Sequence, residues 1–272
     1  MDALAELVGT FLATRPAGEA VSVWLAGLDG REVAALDADR AHYAASTMKL
    51  PLLVAALRRH EEGTLDLDAP LPVHNEFASA LDGSAYHLEQ EEDQDDETWE
   101  QIGAAVPLRV LARRSIVRSG NLATNLVLER VGTAALADVL ADSGCSTATV
   151  LPRGIGDYAA RDAGLDNFVT AHDLGLVMLA VANDEGPVGR QGELVLSRQE
   201  HRDKIPAGLP AGTYVANKTG WISTVSHDVA LVRPENAPAY VLAVCTTTAV
   251  PEDDASALVA AVSRAVWQGW AA

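Results

Sequence analysis

The stretch Tyr43–Leu53 reads YAASTMKLPLL, and it leads into an apolar run that continues to about His60. A run that is apolar nearly all round predicts a central buried helix. Ser46 and Lys49 stand three residues apart at its start, so we expect the hydroxyl and the amine to share one face of the helix. A lysine whose pKa is lowered by burial can be the base that a serine nucleophile needs. Taken alone, the same pair is more often an N-cap serine followed by a solvated lysine.

Strand patterns lie at both ends of the chain, and helical patterns fill its middle. In chain order we expect a helix over 2–14, strands over 21–26 and 32–36, the helix that starts at Ser46, helices over 106–116, 134–143 and 174–182, strands over 214–221, 228–232 and 240–245, and a helix over 253–267. This order predicts an α+β fold in which an antiparallel sheet from both chain ends is flanked by the terminal helices and carries an inserted helical lobe. We expect one domain, 1–272, with an α/β lobe over about 1–42 and 208–272 and a helical lobe over about 43–207.

The composition and charge of the chain disfavour some classes of binding partner. The 272 residues carry a formal net charge of −18, which makes nucleic acid and anionic membrane surfaces poor partners. The N-terminus has neither the basic region nor the apolar core of a signal peptide, so we expect a cytoplasmic protein, with an exported form whose leader has been removed left open. Cys145 and Cys245 stand in apolar or small-residue surroundings that are typical of packed, reduced thiols.

Three short motifs follow one another along the chain. They are Ser46-x-x-Lys49, Ser119-Gly120-Asn121 and Lys218-Thr219-Gly220. S-x-x-K, S-D-N and K-T-G form the signature set of class A β-lactamases and penicillin-binding proteins. The sequence resembles this family of serine hydrolases, class A most closely, over essentially its whole length. The second motif departs from the pattern, because Gly120 stands where the family has an aspartate that chiefly supports the turn, and the resemblance therefore implies a looser turn here.

The resemblance implies a role for each matched residue. The catalytic residues would be the nucleophile Ser46, its proton acceptor Lys49, and Ser119 as proton donor to the leaving nitrogen. The residues that contact the substrate would be Asn121 at its side-chain amide, Lys218 and Thr219 at its carboxylate, and Gly220 and Trp221, with the backbone N–H groups of Ser46 and Trp221 as the oxyanion hole. The resemblance implies no metal and no cofactor. The partner would be a small acyl substrate, namely a β-lactam, an ester or an amide.

A second departure concerns the step that releases the acyl group. Class A enzymes carry a glutamate that activates the deacylating water, and counting back from Thr170 puts its position near 153–155, in a region (145–184) that contains no glutamate. Asp157 and Asp162 are the nearest carboxylates, and we interpret both as surface charges. Loss of a general base lowers a rate by about 10²–10⁴, so we expect slow turnover of a β-lactam.

Two other features have competing interpretations. The acidic segment 89–97 lacks the spacing and the glycine of a calcium loop, and its composition predicts a solvated, mobile loop. His227 opens a strand beside the Lys218 strand and could act as a base, although a hydrogen-bonded residue at a strand end is the favoured interpretation.

Three hypotheses for function remain. The first is a serine hydrolase that forms an acyl-enzyme on Ser46. The second is a D,D-peptidase-like or esterase enzyme that β-lactams merely acylate. The third is a non-catalytic binding protein of the same fold. The natural substrate and the oligomeric state are left open.

Overall fold

The computed structural model describes residues 2–270. Its strands, in chain order, are β1 (Ala20–Gly27), β2 (Glu32–Leu36), β3 (His42–Tyr43), β4 (Pro70–Pro72), β5 (Phe77–Ala78), β6 (Ala85–Tyr86), β7 (Ala105–Pro107), β8 (Phe168–Val169), β9 (Tyr214–Ile222), β10 (Val225–Arg233) and β11 (Tyr240–Thr247). Its α-helices are α1 (Asp2–Leu12), α2 (Lys49–Glu61), α3 (Asp96–Trp99), α4 (Leu108–Val117), α5 (Asn121–Val131), α6 (Thr133–Asp142), α7 (Tyr158–Asp162), α8 (Ala171–Asn183), α9 (Pro187–Leu196) and α10 (Glu252–Trp270).

The main sheet has five strands in the order β2-β1-β11-β10-β9. Every neighbouring pair is antiparallel, so both ends of the chain build one sheet. The strands β1, β10 and β11 are buried along almost their whole length, as continuous apolar runs predict for a sheet covered on both faces. The predicted α+β fold with its antiparallel sheet is confirmed. The strand β9, which carries the third motif, is an edge strand of this sheet.

The sheet is covered on both faces. One face packs with residues of α1 and α10, including Leu4, Val8, Val259 and Val262. The other face packs against α8 and, beyond it, the buried helix α2. Burial of apolar surface on both faces stabilises the fold by roughly 25 cal/mol for each Å² removed from water. The sheet edge at β9 lies against the 3₁₀ turn Ala45–Met48 and against α9. The division of the chain into two lobes stays a prediction.

The helix α2 is the central helix that the sequence predicts. Its first nine residues, Lys49–Leu57, are all buried. The regular helix begins at Lys49, whereas Ser46 lies in a 3₁₀ turn, Ala45–Met48, that precedes it. The expected helix start at Ser46 is therefore three residues too early. Gly63, with φ +71°, follows the helix end, where a left-handed residue commonly stops a helix.

Some elements differ from the predictions. The helix α9 was not predicted, because Pro187, Gly189 and Gly192 hide its apolar spacing. Gly189 is required there, since a Cβ at this position would lie 2.0 Å from the Asp184 carbonyl oxygen. Cys145 and Cys245 are free thiols, as predicted. No helix within residues 2–270 combines the length and the apolar character needed to cross a bilayer.

Candidate active site

The turn that carries Ser46 is pressed against the edge strand β9. Ala45, just before the serine, has φ +43°, a left-handed conformation that alanine rarely adopts. A Cβ on Gly220 would lie 2.9 Å from the Ser46 nitrogen and 2.8 Å from the Thr47 nitrogen. Only glycine at position 220 allows the strand to approach the turn so closely. The backbone N–H of Ser46 therefore lies beside the strand that continues into Trp221, the second residue predicted for the oxyanion hole.

Lys49 is fully buried and points at the second motif. Its Nζ donates to the Ser119 carbonyl oxygen at 2.6 Å, to the Asn121 Oδ1 at 2.9 Å and to the Ser119 Oγ at 3.3 Å. Burial lowers the pKa of Lys49 to about 7, although the nearby Asp93 carboxylate opposes the shift. About half of the molecules would then hold a neutral amine near pH 7. Within residues 2–270 the hydrogen bonds of Lys49 go to Ser119 and Asn121, and none goes to the Ser46 hydroxyl. Catalytic hydrogen bonds often tighten only in the complex with substrate.

Ser119 lies between two lysines. Its Oγ is 3.3 Å from the Lys49 Nζ and 3.0 Å from the Lys218 Nζ. Ser119 has φ +63°, a conformation that costs roughly 1–3 kcal/mol for a residue with a side chain. Such strain persists only where the surroundings hold it in place. The two amines both contact the Ser119 Oγ, so the three groups form a hydrogen-bonded path along which a proton can move.

Lys218 and Thr219 occupy the edge strand beside this path. Lys218 is fully buried, and burial followed by the positive charge of Lys49 holds its pKa well below the usual range. Its Nζ also donates to the Thr219 carbonyl oxygen at 2.6 Å. Among the described residues, the buried Thr219 Oγ1 finds no hydrogen-bond partner. A buried hydroxyl without a partner costs roughly 1–3 kcal/mol, which is typical of a group kept for a ligand.

Asn121 begins α5 and is anchored on three sides. Its Oδ1 accepts from Lys49, its Nδ2 donates to the Glu92 carbonyl oxygen at 2.9 Å, and its backbone nitrogen donates to the Asp93 Oδ1 at 2.7 Å. Asp93 also accepts from the Leu122 nitrogen at 2.8 Å. A carboxylate at this place satisfies free N–H groups and complements the positive end of the helix.

A cleft of about 630 Å³ opens in front of these groups. Its lining includes Ser46, Ser119, Asn121 and Trp221. The volume is in the range that binds small molecules. Trp221 is held from behind by Lys204, whose Nζ lies 5.0 Å from the indole centroid. The cleft lining therefore brings together Ser46, Ser119, Asn121 and Trp221, while the buried Lys49 and Lys218 contact Ser119.

The acidic segment 89–97 is solvated only in part, since residues 89–92, 94 and 96 are exposed, as expected, and the others are not. Asp95 is buried, and its carboxylate accepts from the Arg118 Nη1 at 2.9 Å. Glu97 pairs with both Arg114 and Arg118. The segment therefore forms a wall of the site, bonded to the residues around the second motif. Sequence reasoning missed Glu92, Asp93 and Asp95 because a charged run is usually solvated, and only tertiary contacts reveal its partners.

The loop before α8 also differs in part from the prediction. Asp157 is fully buried rather than a surface charge, because it accepts from the Ser79 Oγ at 2.8 Å and the Ala80 nitrogen at 2.7 Å and caps α7 through the Ala160 nitrogen. Asp162 is exposed, as expected, and pairs with Arg161. Both carboxylates are engaged away from the cleft.

His227 is buried and its two ring nitrogens are engaged. Its Nδ1 accepts from the Thr246 nitrogen at 3.1 Å, so its Nε2–H donates to the Tyr43 carbonyl oxygen at 2.8 Å. Burial lowers its pKa to about 4. These bonds favour the hydrogen-bonded structural interpretation over a base. Within the described part of the chain, no group of three or more His, Cys, Asp or Glu side chains could hold a metal ion.

Known proteins share this fold. The model of the beta-lactamase enzyme family matches residues 2–270. PBP-A superposes with a TM-score of 0.79 at 25% identity, over 99% of this chain and 96% of that chain. An ancestral (GNCA) class A β-lactamase superposes with a TM-score of 0.80 at 25% identity, over 98% of each chain. A single-residue mutant of PBP-A, in an acyl-enzyme complex with penicillin G, superposes with a TM-score of 0.78 at 25% identity, over 99% of this chain and 96% of that chain. Among curated proteins no match was found.

The fold and the converging motifs define a serine hydrolase of the β-lactamase type. The chain belongs to the beta-lactamase enzyme family, which its family model matches from residue 2 to residue 270.

Proposed function

We propose that this protein is acylated on Ser46 by a β-lactam or a related amide or ester, and that it releases the acyl group slowly. The observation that carries the first part is the Ser119 hydroxyl, held 3.3 Å from the Lys49 Nζ and 3.0 Å from the Lys218 Nζ in the cleft that Ser46 lines. Acyl transfer to a serine needs a general base for the hydroxyl and a proton donor for the leaving group, and these three side chains can provide both.

In the proposed reaction the proton that leaves Ser46 reaches the leaving nitrogen by way of Lys49 and Ser119. The Ser46 Oγ attacks the carbonyl carbon and gives its proton to the neutral Lys49 amine. The oxyanion is stabilised by the N–H groups of Ser46 and Trp221, each worth about 3–4 kcal/mol in such sites. The C–N bond then breaks as Ser119 gives its proton to the leaving nitrogen and takes one from Lys49. Lys218 and the free Thr219 hydroxyl would bind the substrate's carboxylate.

Slow release rests on the loop at 153–155. Asn125 bonds to the backbone of Ile155 in that loop, and position 155 carries no ionisable group. Asp157 and Asp162 are engaged elsewhere. A water held on the side of this loop would then lack a carboxylate base, and the acyl-enzyme would persist.

A stopped-flow burst experiment tests both parts. With a chromogenic cephalosporin we expect a burst of one product per enzyme, followed by a much slower steady state. The absence of a burst with every β-lactam and activated ester tried would remove acylation from the account. If product instead forms rapidly in the steady state, with no slow phase after the first turnover, the proposal of slow release is excluded.

The second candidate is a D,D-peptidase-like or esterase activity that β-lactams only inhibit. The lack of a carboxylate at position 155 favours it over an efficient β-lactamase. Turnover of an acyl-D-Ala-D-Ala peptide or a thioester, blocked by prior exposure to penicillin G, would support this candidate. Failure to turn over any non-lactam substrate would favour the first.

A further inference from the structure

Gly120 and Asp95 occupy neighbouring space that cannot hold two full side chains. A Cβ built on Gly120 would lie 2.8 Å from the Asp95 Cβ and 3.2 Å from its Oδ2. Gly120 has φ −59° and ψ 127°, which any residue can adopt. The backbone conformation therefore does not require glycine at position 120. The neighbouring aspartate does.

The Asp95 side chain is fully buried and fully engaged. Its Oδ1 accepts from the Arg118 Nη1 at 2.9 Å, and its Oδ2 accepts from the Thr98 Oγ1 at 2.5 Å. A buried carboxylate is tolerated only when it is paired and hydrogen-bonded. Its cationic partner, Arg118, directly precedes Ser119, the residue with φ +63°.

The turn is also held from its other sides. The carbonyl oxygen of Arg118 accepts from the His201 Nε2 at 3.1 Å, and the guanidinium of Arg118 bonds to Glu97 at 2.5 Å. Glu97 is half exposed, whereas Asp95 is enclosed. Of the three carboxylates paired with Arg118, namely Asp95, Glu97 and Glu200, only Asp95 is enclosed and therefore fixed. The Asp95 side chain also occupies the space that a Cβ at position 120 would need.

We propose that Asp95 is a positioning residue for Ser119, and that its carboxylate supports the 118–120 turn from outside in the place of a side chain at position 120. The proposal rests on the proposed function. It also revises the looser turn expected from the sequence, because the tether is supplied from another segment. Asp95 touches no substrate in this account; it acts through Arg118 and the turn.

A reciprocal exchange tests the proposal. The close contact is to the Asp95 Cβ, so the exchange must remove that atom too. The variants are Asp95→Gly, Gly120→Asp and the double variant, with Asp96→Gly, an exposed neighbour, as the control for added backbone freedom. We expect Asp95→Gly to slow acylation by penicillin G about 10²-fold, the effect of misplacing a catalytic group by about 1 Å. We expect Gly120→Asp alone to slow it as well, and the double variant to recover most of the loss.

The pH profile separates positioning from a general loss of stability. When the 118–120 turn loosens, water reaches the Lys49 amine, and the acid limb of the acylation rate moves to higher pH. Folded Asp95→Gly protein should show this shift, and Asp96→Gly should not. Should Asp95→Gly fail to fold, Asp95→Asn keeps the volume and removes the charge, and it should show a smaller loss in rate with the same direction of shift.

The outcomes are distinct. A folded Asp95 variant that acylates at the wild-type rate with the wild-type pH profile contradicts the positioning role. So does a double variant no better than Asp95→Gly. A wild-type protein that no β-lactam or ester acylates contradicts the proposed function, and the positioning role falls with it.

Discussion

Asn125 clamps the backbone of Ile155 from both sides: its Nδ2 donates to the Ile155 carbonyl oxygen at 2.8 Å, and its Oδ1 accepts from the Ile155 nitrogen at 2.9 Å. The side chain at position 155 is therefore set on a fixed backbone. Tyr86 packs beside it, since a Cβ on Gly154 would lie 2.3 Å from the Tyr86 hydroxyl. A carboxylate introduced at position 155 would therefore be attached to a backbone held in a fixed position.

We therefore expect Ile155→Glu to shorten the life of the acyl-enzyme. A general base contributes about 10²–10⁴ to such a step, and single-turnover release of penicillin G, followed by intact mass, measures it. Ile155→Gln is the matched control, because it has nearly the same shape and no basic oxygen. Equal release rates in the two variants would show that position 155 does not reach the water.

The rate of acylation should depend on pH through Lys49. Burial lowers its pKa to about 7, and only the neutral amine can take the Ser46 proton. The rate should therefore rise about tenfold per pH unit below that value and level off above it. Because Lys49 and Lys218 interact, the limb reports an apparent pKa of the pair. A flat profile from about pH 5 to pH 9 is incompatible with Lys49 as the base.

Thr219 offers a test of substrate binding that separates function from stability. Its buried Oγ1 has no partner among the described residues. Thr219→Val should raise the free energy of unfolding by about 1 kcal/mol, since it removes an unpaired buried hydroxyl, and should slow acylation by about 10–100-fold, since it removes a hydrogen bond to a charged carboxylate. Thr219→Ser keeps the hydroxyl and should stay near the wild-type rate. A valine variant that acylates normally would exclude Thr219 from the site.

Acid should destabilise the protein through His42. Burial lowers its pKa to about 3, while its Nε2 bonds to the Ser22 Oγ at 2.9 Å. Between pH 6.5 and pH 3 the unfolded state therefore binds the extra proton, so this histidine's contribution to stability is lost as the pH falls through that window.

Replacing His42 with glutamine should weaken this acid sensitivity. The difference between the free energies of unfolding at pH 7 and pH 5 should be smaller by about 2 kcal/mol in His42→Gln than in the wild type. Burial raises the pKa of Asp228 to about 6, which acts in the opposite direction, but equally in both proteins. Urea unfolding at the two pH values measures the difference, and equal differences would rule out the histidine as its source.

Local patterns predicted the frame of the molecule. A partly alternating run located β1, continuous apolar runs located β10 and β11, and the apolar run after Ser46 located the buried helix α2. These signals lie within a few residues along the chain. The resemblance then ordered the three motifs, and the fold brings Lys49, Ser119 and Lys218 within hydrogen-bonding distance.

Long-range partners of polar residues were not predictable. Asp93 accepts a hydrogen bond from the first residue of α5, 28 residues further along the chain. The buried Asp157 accepts one from Ser79, 78 residues earlier. A carboxylate looks the same in sequence whether water or a distant backbone N–H solvates it. Gly120 by itself indicates that the turn has lost a supporting side chain. The structure places Asp95 beside it, and no local sequence pattern connects the two residues.

The central claim is that Ser46 carries the acyl group, and peptide mapping by mass spectrometry tests it most directly. After exposure to penicillin G and rapid acid quench, the account predicts one adduct per chain on the peptide that contains Ser46, and none on Ser46→Ala. An adduct on another residue, or one that persists in Ser46→Ala, would contradict it.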